Sequence, residues 1–277
     1  VPGGKAAAAK QIRPPPRSAA MKRFGQIIHG FATLLFVGSS FAYAVQSRPA
    51  PLLAAFQGSD GAVVLPGVPA ASDAAQTLAL PQLYMSPENP LMWALLIVLW
   101  LSLALDAITQ LRESSEDYSF AAAAGPNVVW PALSLALLAG AAWPWMVDRQ
   151  NEPVLLGALF MVLATVIAAR RARRSNRPAI GFLAGWSTAT GIAALAAILA
   201  ERLGLTIAQA AVLAILPGVL IGLAAQGRIG PSITYPTALI WAFVALATTT
   251  MGSSPMIAMA AIVGVSAMAM VLIEAAS

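Results

Sequence analysis

Asp106 is the one acid placed inside an apolar run of this 277-residue chain. An ionisable side chain at such a position is costly, and where it occurs it commonly serves a proton relay, an ion path or a ligand contact. Asp106 also lies one turn from the basic end of its run, so its carboxylate can reach polar surroundings. A relay needs a second ionisable partner. No other acid or base sits deep in a run, and Glu274 falls at the C-terminal end. A proton-coupled pump is therefore disfavoured. His29, the only histidine, lies about two turns from a basic end. A lone histidine in an apolar helix is commonly a hydrogen-bonded structural residue, and nothing else in the chain supports axial haem ligation.

Other chemistry is excluded by what is missing. The chain has no cysteine, which removes disulfides, thiolate catalysis, iron–sulfur clusters and cysteine zinc sites. One histidine removes multi-histidine metal sites and most general-base arrangements. Ser187, Thr188 and Thr190 follow Trp186 in "GWSTAT", where hydroxyls ordinarily bond carbonyls one turn back or a neighbouring helix. No serine, histidine and acid set is assembled. We expect no catalytic residues, no metal site and no resident cofactor, and so no enzyme. No phosphate-binding loop, dinucleotide fingerprint or nucleic-acid motif appears.

Tryptophan is the other candidate. Seven are present: Trp93, Trp100, Trp130, Trp143, Trp145, Trp186 and Trp241. The ordinary role is the aromatic belt, with the indole at headgroup level and its N–H in water. Trp93, Trp130, Trp143 and Trp145 lie near the ends of apolar runs and fit it. Trp100 lies midway along a run, one heptad after Trp93 and on the same face. Its N–H needs a partner helix or a ligand. "GAAWPWMV", Gly140 to Val147, places two tryptophans around Pro144. This stretch reads first as an interface anchor and second as the mouth of a pocket.

The elements that must position these residues follow from composition. Hydrophobic residues make up 59% and charged residues 10%, against about 25% charged in soluble domains. Mean hydropathy is +0.77. One soluble core cannot hide that much apolar surface, so the chain reads as an integral membrane protein. Eight apolar runs cover residues 24–45, 91–110, 128–147, 154–169, 180–200, 208–225, 235–252 and 255–273. Backbone amides in hydrocarbon must bond internally, and the runs lack strand-like alternation. The predicted fold is all-α, a polytopic transmembrane bundle of about eight helices.

Lysine and arginine set the orientation. Five arginines fill "RRARRSNR" between the fourth and fifth runs. If that side is cytoplasmic, alternation places 13 of the 16 basic residues there and leaves only Arg48, Arg149 and Arg202 outside. Both termini are then cytoplasmic, and a bacterial inner membrane is the expected location. The net charge of +5 is explained by topology and anionic lipid rather than by nucleic acid.

Residues 1–20 are basic and rich in proline and alanine, and are expected to be a disordered extension before a membrane domain over 21–277. The first run, ending in "AYA" at 42–44, is either an uncleaved anchor or a signal peptide. Residues 46–90 carry seven prolines and are expected to be an irregular outer-face loop packed over the bundle. Gly181 and Gly185 form a G-x-x-x-G on the fifth run, which suits tight intramolecular packing or a homo-oligomer face. Pro217-Gly218 interrupts the sixth run and predicts a kink or a broken helix.

With these residues placed, the chain resembles the tryptophan-rich sensory protein (TspO/MBR) family, in its longer bacterial form. "SPENPLMWALLIVLWLSLALDAITQ" is similar to the family's proline-led segment, which enters a helix with tryptophan, then an aromatic, and ends at glutamine; Trp100 to Gln110 matches the aromatic-to-glutamine spacing, with Trp93 displaced from the usual tryptophan position. "GAAWPW" resembles its N-x-x-W element with a second tryptophan following. "GFLAGWSTATGIAA" is similar to its fifth helix, through Gly185, Trp186, Ala189 and Thr190. "TYPTALIWAFVALA" resembles a later helix of long members, through Tyr235, Trp241 and Ala242. The likeness spans roughly residues 24–273. Gly140 and Ala193 stand where the family has asparagines, which removes polar contacts of its ligand site. The resemblance implies a five-helix core plus three further helices, and binding, sensing or transport of a hydrophobic ligand, porphyrin or sterol-like. Trp100, Trp143, Trp145, Trp186 and Asp106 are then the candidate ligand-binding residues. The rival readings are a non-catalytic accessory subunit and a small-solute transporter using the Pro217-Gly218 break.

Overall fold

The computed structural model describes residues 16–46, 80–85, 89–112, 128–147, 151–173, 175 and 177–277. The first helix, α1, is Pro16–Gln46, and α2 is the single turn Leu80–Leu83. Then come α3 (Pro90–Arg112), α4 (Trp130–Ala142), α5 (Asn151–Arg171) and α6 (Pro178–Leu203). The last three are α7 (Ile207–Ile229), α8 (Thr234–Thr250) and α9 (Pro255–Ala276). No strand occurs among the described residues.

Helix boundaries follow local chemistry. Asn89 opens α3, its Oδ1 accepting the Leu91 N–H at 2.7 Å, as an N-cap should. Thr206 and Gln209 form a reciprocal capping box at the start of α7, which satisfies two otherwise orphaned groups. Gly204 ends α6 at φ 62°, a left-handed conformation that suits glycine. Prolines sit in the first turns of α4, α6 and α9, where their missing N–H costs nothing.

Six helices are long and apolar enough to cross a membrane: Arg23–Gln46 of α1, and α3, α5, α6, α7 and α9. Of the eight runs expected to span, α4 is 13 residues and continues as a 3-10 turn over Trp143–Met146, and α8 is 17 residues. Outward faces expose large apolar side chains, among them Leu34, Leu105, Leu156, Leu220 and Met270. Apolar surface on that scale is not found on a soluble monomer. The chain is an all-helical integral membrane protein.

Side-chain contacts define two ends. At one, Arg171 donates to the Val128 carbonyl at 3.0 Å and His29 of α1 meets Asp106 near the end of α3. The α5–α6 and α7–α8 connections border one cleft there; we call this the arginine-rich end. At the other, Trp145 donates to Ser39, Asn151 to Glu201, and Asn89 to Thr248. Successive long helices therefore run antiparallel.

The centre of the bundle is α6. Every residue from Ala179 to Ala194 is buried, so the helix has no solvent or lipid face over that length. It packs on α5, α7, α8, α3 and the turn α2. The approach to α8 depends on the G-x-x-x-G. A Cβ on Gly185 would overlap the Tyr235 carbonyl and lie 2.8 Å from the Ala238 Cβ. This motif is occupied inside the chain, as tight intramolecular packing requires, and is not a free face for a second copy.

Pro217 does not break its helix: α7 runs unbroken from Ile207 to Ile229. Gly218 instead makes room for Ile192, whose Cδ1 would lie 2.5 Å from an added Cβ. The first helix begins at Pro16; residues 1–15 lie outside the described residues. Most of 46–90 also lies outside them, but its end is ordered, with Leu80, Leu83, Tyr84 and Met85 buried and α2 against α6.

Gly185→Ala is expected to destabilise the bundle by about 1–3 kcal/mol, because the atom it would strike is backbone. Gly38→Ala, with nothing within 4 Å of an added Cβ, should melt like the parent in detergent. Equal melting of both variants would remove the close α6–α8 approach as a determinant of stability.

Candidate functional site

Asp106 is enclosed by side chains from other elements at the arginine-rich end. Its side chain is 7% exposed and engages the Arg177 guanidinium and the His29 imidazole. Arg177 lies at the N-terminus of α6. Its guanidinium donates through Nε to Oδ1 at 2.9 Å and through Nη2 to Oδ2 at 2.6 Å. His29 Nε2 lies 3.2 Å from Oδ2. The two-pronged arginine contact is the geometry in which guanidinium binds carboxylate most strongly. The expectation that Asp106 lacks an ionisable partner is thus corrected. Arg177, counted in the sequence only as a topology signal, is the residue that was missed. The missing signal is tertiary: Arg177 is 71 residues away and belongs to a connection, not to an apolar run.

His29 begins a buried stripe along α1. His29, Thr33, Phe36 and Ser40 recur at helical spacing and are each 3% exposed or less, so they share one inward face. Ser40 bonds the Phe36 carbonyl at 2.6 Å. The Nδ1 of His29 and the Oγ1 of Thr33 have no partner among the described residues. Phe36 meets Trp186 edge to face, ring centroids 5.8 Å apart. The stripe therefore leads from the Asp106 cluster to the central tryptophan of α6.

The four tryptophans expected at a ligand site separate into two kinds. Trp143 is fully buried and donates its Nε1–H to the Val154 carbonyl at 2.8 Å. It packs over Gly157, where an added Cβ would come 3.1 Å from its ring. An exposed interface anchor is thus corrected to an interior strut joining α4 to α5. Trp145 is 46% exposed, bonds Ser39 Oγ at 2.7 Å and stacks edge-on with Tyr43. Trp186 and Trp100 differ from both. Each is buried, and each has an Nε1–H with no acceptor among the described residues. Trp100 is flanked edge-on by Phe41 at 5.7 Å and Trp93 at 6.4 Å. Trp100 and Trp186 thus flank the 36–41 stretch of α1. Trp143 and Trp145 belong to the α4–α5 end.

The hydroxyls of "GWSTAT" behave as the sequence predicts. Ser187 and Thr188 bond carbonyls one turn back at 2.8 and 2.9 Å, and Thr188 also meets the Tyr235 hydroxyl at 3.1 Å. A separate cleft of about 470 Å³ opens at the arginine-rich end, between the α5–α6 and α7–α8 connections. It has none of the candidate tryptophans in its wall.

These features define a class: a helical integral membrane protein with a buried charge cluster and two unpaired interior indoles. No family model, curated protein or solved structure matches the chain.

Removing one member of a buried ion pair strands the other. Asp106→Ala should cost about 3–5 kcal/mol, and Asp106→Leu combined with Arg177→Met should restore much of that loss. Thermal unfolding in detergent distinguishes the two. A single variant as stable as the parent would show that the cluster is not buried.

Proposed function

We propose that this chain is a non-catalytic membrane protein of the tryptophan-rich sensory kind that holds a flat hydrophobic ligand, such as a tetrapyrrole, between α1, α3 and α6. The carrying observation is the pair of unpaired indole donors. Trp143, Trp145 and Trp241 each give their N–H to a protein acceptor. Trp100 and Trp186 give theirs to none among the described residues. An unsatisfied buried donor costs about 1–3 kcal/mol, and an acceptor on a bound ligand recovers it. Phe36 and Phe41 stand against these indoles, so ligand entry displaces a phenyl ring and stacks in its place. The resemblance around Trp100 and Trp186 supports the same site, and Trp143 and Trp145 fall outside it.

The proposed topology is eight-pass, in a bacterial inner membrane with both termini cytoplasmic. Two observations support it. The long helices alternate between two ends, and thirteen basic residues against three follow from that alternation. With its 3-10 extension, α4 covers roughly 27 Å, close to a hydrocarbon core of about 30 Å. The burial of Tyr43 and Ala44 within the bundle favours retention of the first helix over its cleavage.

Titrating protoporphyrin IX into the detergent-solubilised chain should shift the porphyrin absorption band saturably. Trp186→Phe with Trp100→Phe should weaken binding by about ten- to a hundredfold, the worth of two hydrogen bonds. Trp241→Phe should leave it unchanged. A non-saturating shift, identical in all three proteins, would reject the site.

A further inference from the structure

We propose that the cleft at the arginine-rich end binds a phosphate-bearing anion through Arg173, Ser232 and Thr234. The cleft is independent of the tryptophan site. Its volume, about 470 Å³, exceeds that of a phosphate group, and its wall combines this cation and two hydroxyls with the apolar Ile229 and Ile233. Arg177 also borders it, but both its Nε and one terminal nitrogen are held by Asp106. Its charge is therefore neutralised within the bundle. Arg173 has no carboxylate within ion-pair distance among the described residues. It supplies the uncompensated positive charge.

Two glycines shape the cleft around these groups. Gly230 adopts φ 90°, and a Cβ there would lie 2.7 Å from the Arg173 Nε. The guanidinium lies across the α7–α8 turn only because that position has no side chain. A Cβ on Gly181 would collide with Thr234 Oγ1 and lie 2.9 Å from Ser232 Oγ. These hydroxyls, 3.4 Å apart, lie against the first turn of α6. Thr234 also begins α8, so the first turns of two helices border the same space. Pro178 and Pro236 have no N–H and the Ile180 N–H bonds the Arg177 carbonyl at 3.3 Å, so the helix ends add only a modest positive partial charge to that of Arg173. A forked guanidinium with hydroxyl donors beside it matches a tetrahedral oxyanion. The isoleucines beside it suit an anion that continues into apolar matter. The source is either a phospholipid headgroup or a soluble phosphate.

Native mass spectrometry of the full chain, released from detergent, tests this with phosphatidylglycerol, phosphatidylcholine and inorganic phosphate as probes. Retention of phosphatidylglycerol over phosphatidylcholine, not displaced by inorganic phosphate, identifies a lipid headgroup. Saturable inorganic phosphate that displaces phosphatidylglycerol identifies a soluble anion. In either case Arg173→Gln, and separately Ser232→Ala with Thr234→Val, should weaken binding roughly tenfold. Arg170→Gln, which removes an exposed arginine outside the cleft wall, should leave it unchanged. Arg173 is itself exposed, so its variant should melt like the parent. Absence of binding, equal retention of the two lipids, or equal losses from Arg170→Gln and Arg173→Gln overturns the proposal.

Discussion

A helix buried on every side can be enclosed only if its neighbours come close, and α6 meets that condition through small residues. Gly181 and Gly185 admit α8, and Gly191 admits Val162 of α5. Gly218, on the facing helix α7, receives Ile192 of α6. In lipid the hydrophobic effect does not drive helices together, so dispersion contact and shape must do so. The rest of the bundle inherits this geometry. The close α6–α8 approach sets Thr234 against α6. The position of α6 sets where Arg177 emerges and where Trp186 meets α1.

Polar groups inside such a bundle are held to a stricter standard than in water. Ser187, Thr188, Thr165 and Thr250 meet it locally, by bonding carbonyls one turn back. Asp106 meets it only through other elements, taking Arg177 from α6 and His29 from α1. Six buried polar atoms lack a partner among the described residues, and three of them, His29 Nδ1, Thr33 Oγ1 and Trp186 Nε1, lie along one line; Trp100 Nε1, Ser134 Oγ and Gln226 Oε1 lie elsewhere. A buried amphipathic stripe with open valences is a place for water or ligand.

The fold was legible where hydrophobic length and turn chemistry agree. Each of the eight runs contains a helix, and Gly204 and Thr206 mark the α6–α7 boundary as their types predict. Of the two outcomes that Pro217 predicts, the break does not occur, since α7 is continuous through it. Gly218 is required by Ile192, a contact that no sequence window contains. The site was less legible. Trp143 and Trp145 flank one proline and look alike, yet one is an interior strut and the other is half exposed. The turn after α4 points them to different sides. Asp106 was found by its oddity, whereas Arg177 was hidden among arginines that share its type and not its role.

The Asp106 cluster also has an order in time. Synthesis delivers His29 first, then Asp106, and Arg177 only after α4 and α5 have been made. Until then the acid in α3 has the imidazole alone for company. The young chain thus carries an incomplete polar centre across two helices' worth of translation. The arrival of α6 both fills the middle of the bundle and completes that centre. Arg177 therefore acts as a late latch. It fastens the first two long helices to α6 at the moment that helix takes its place.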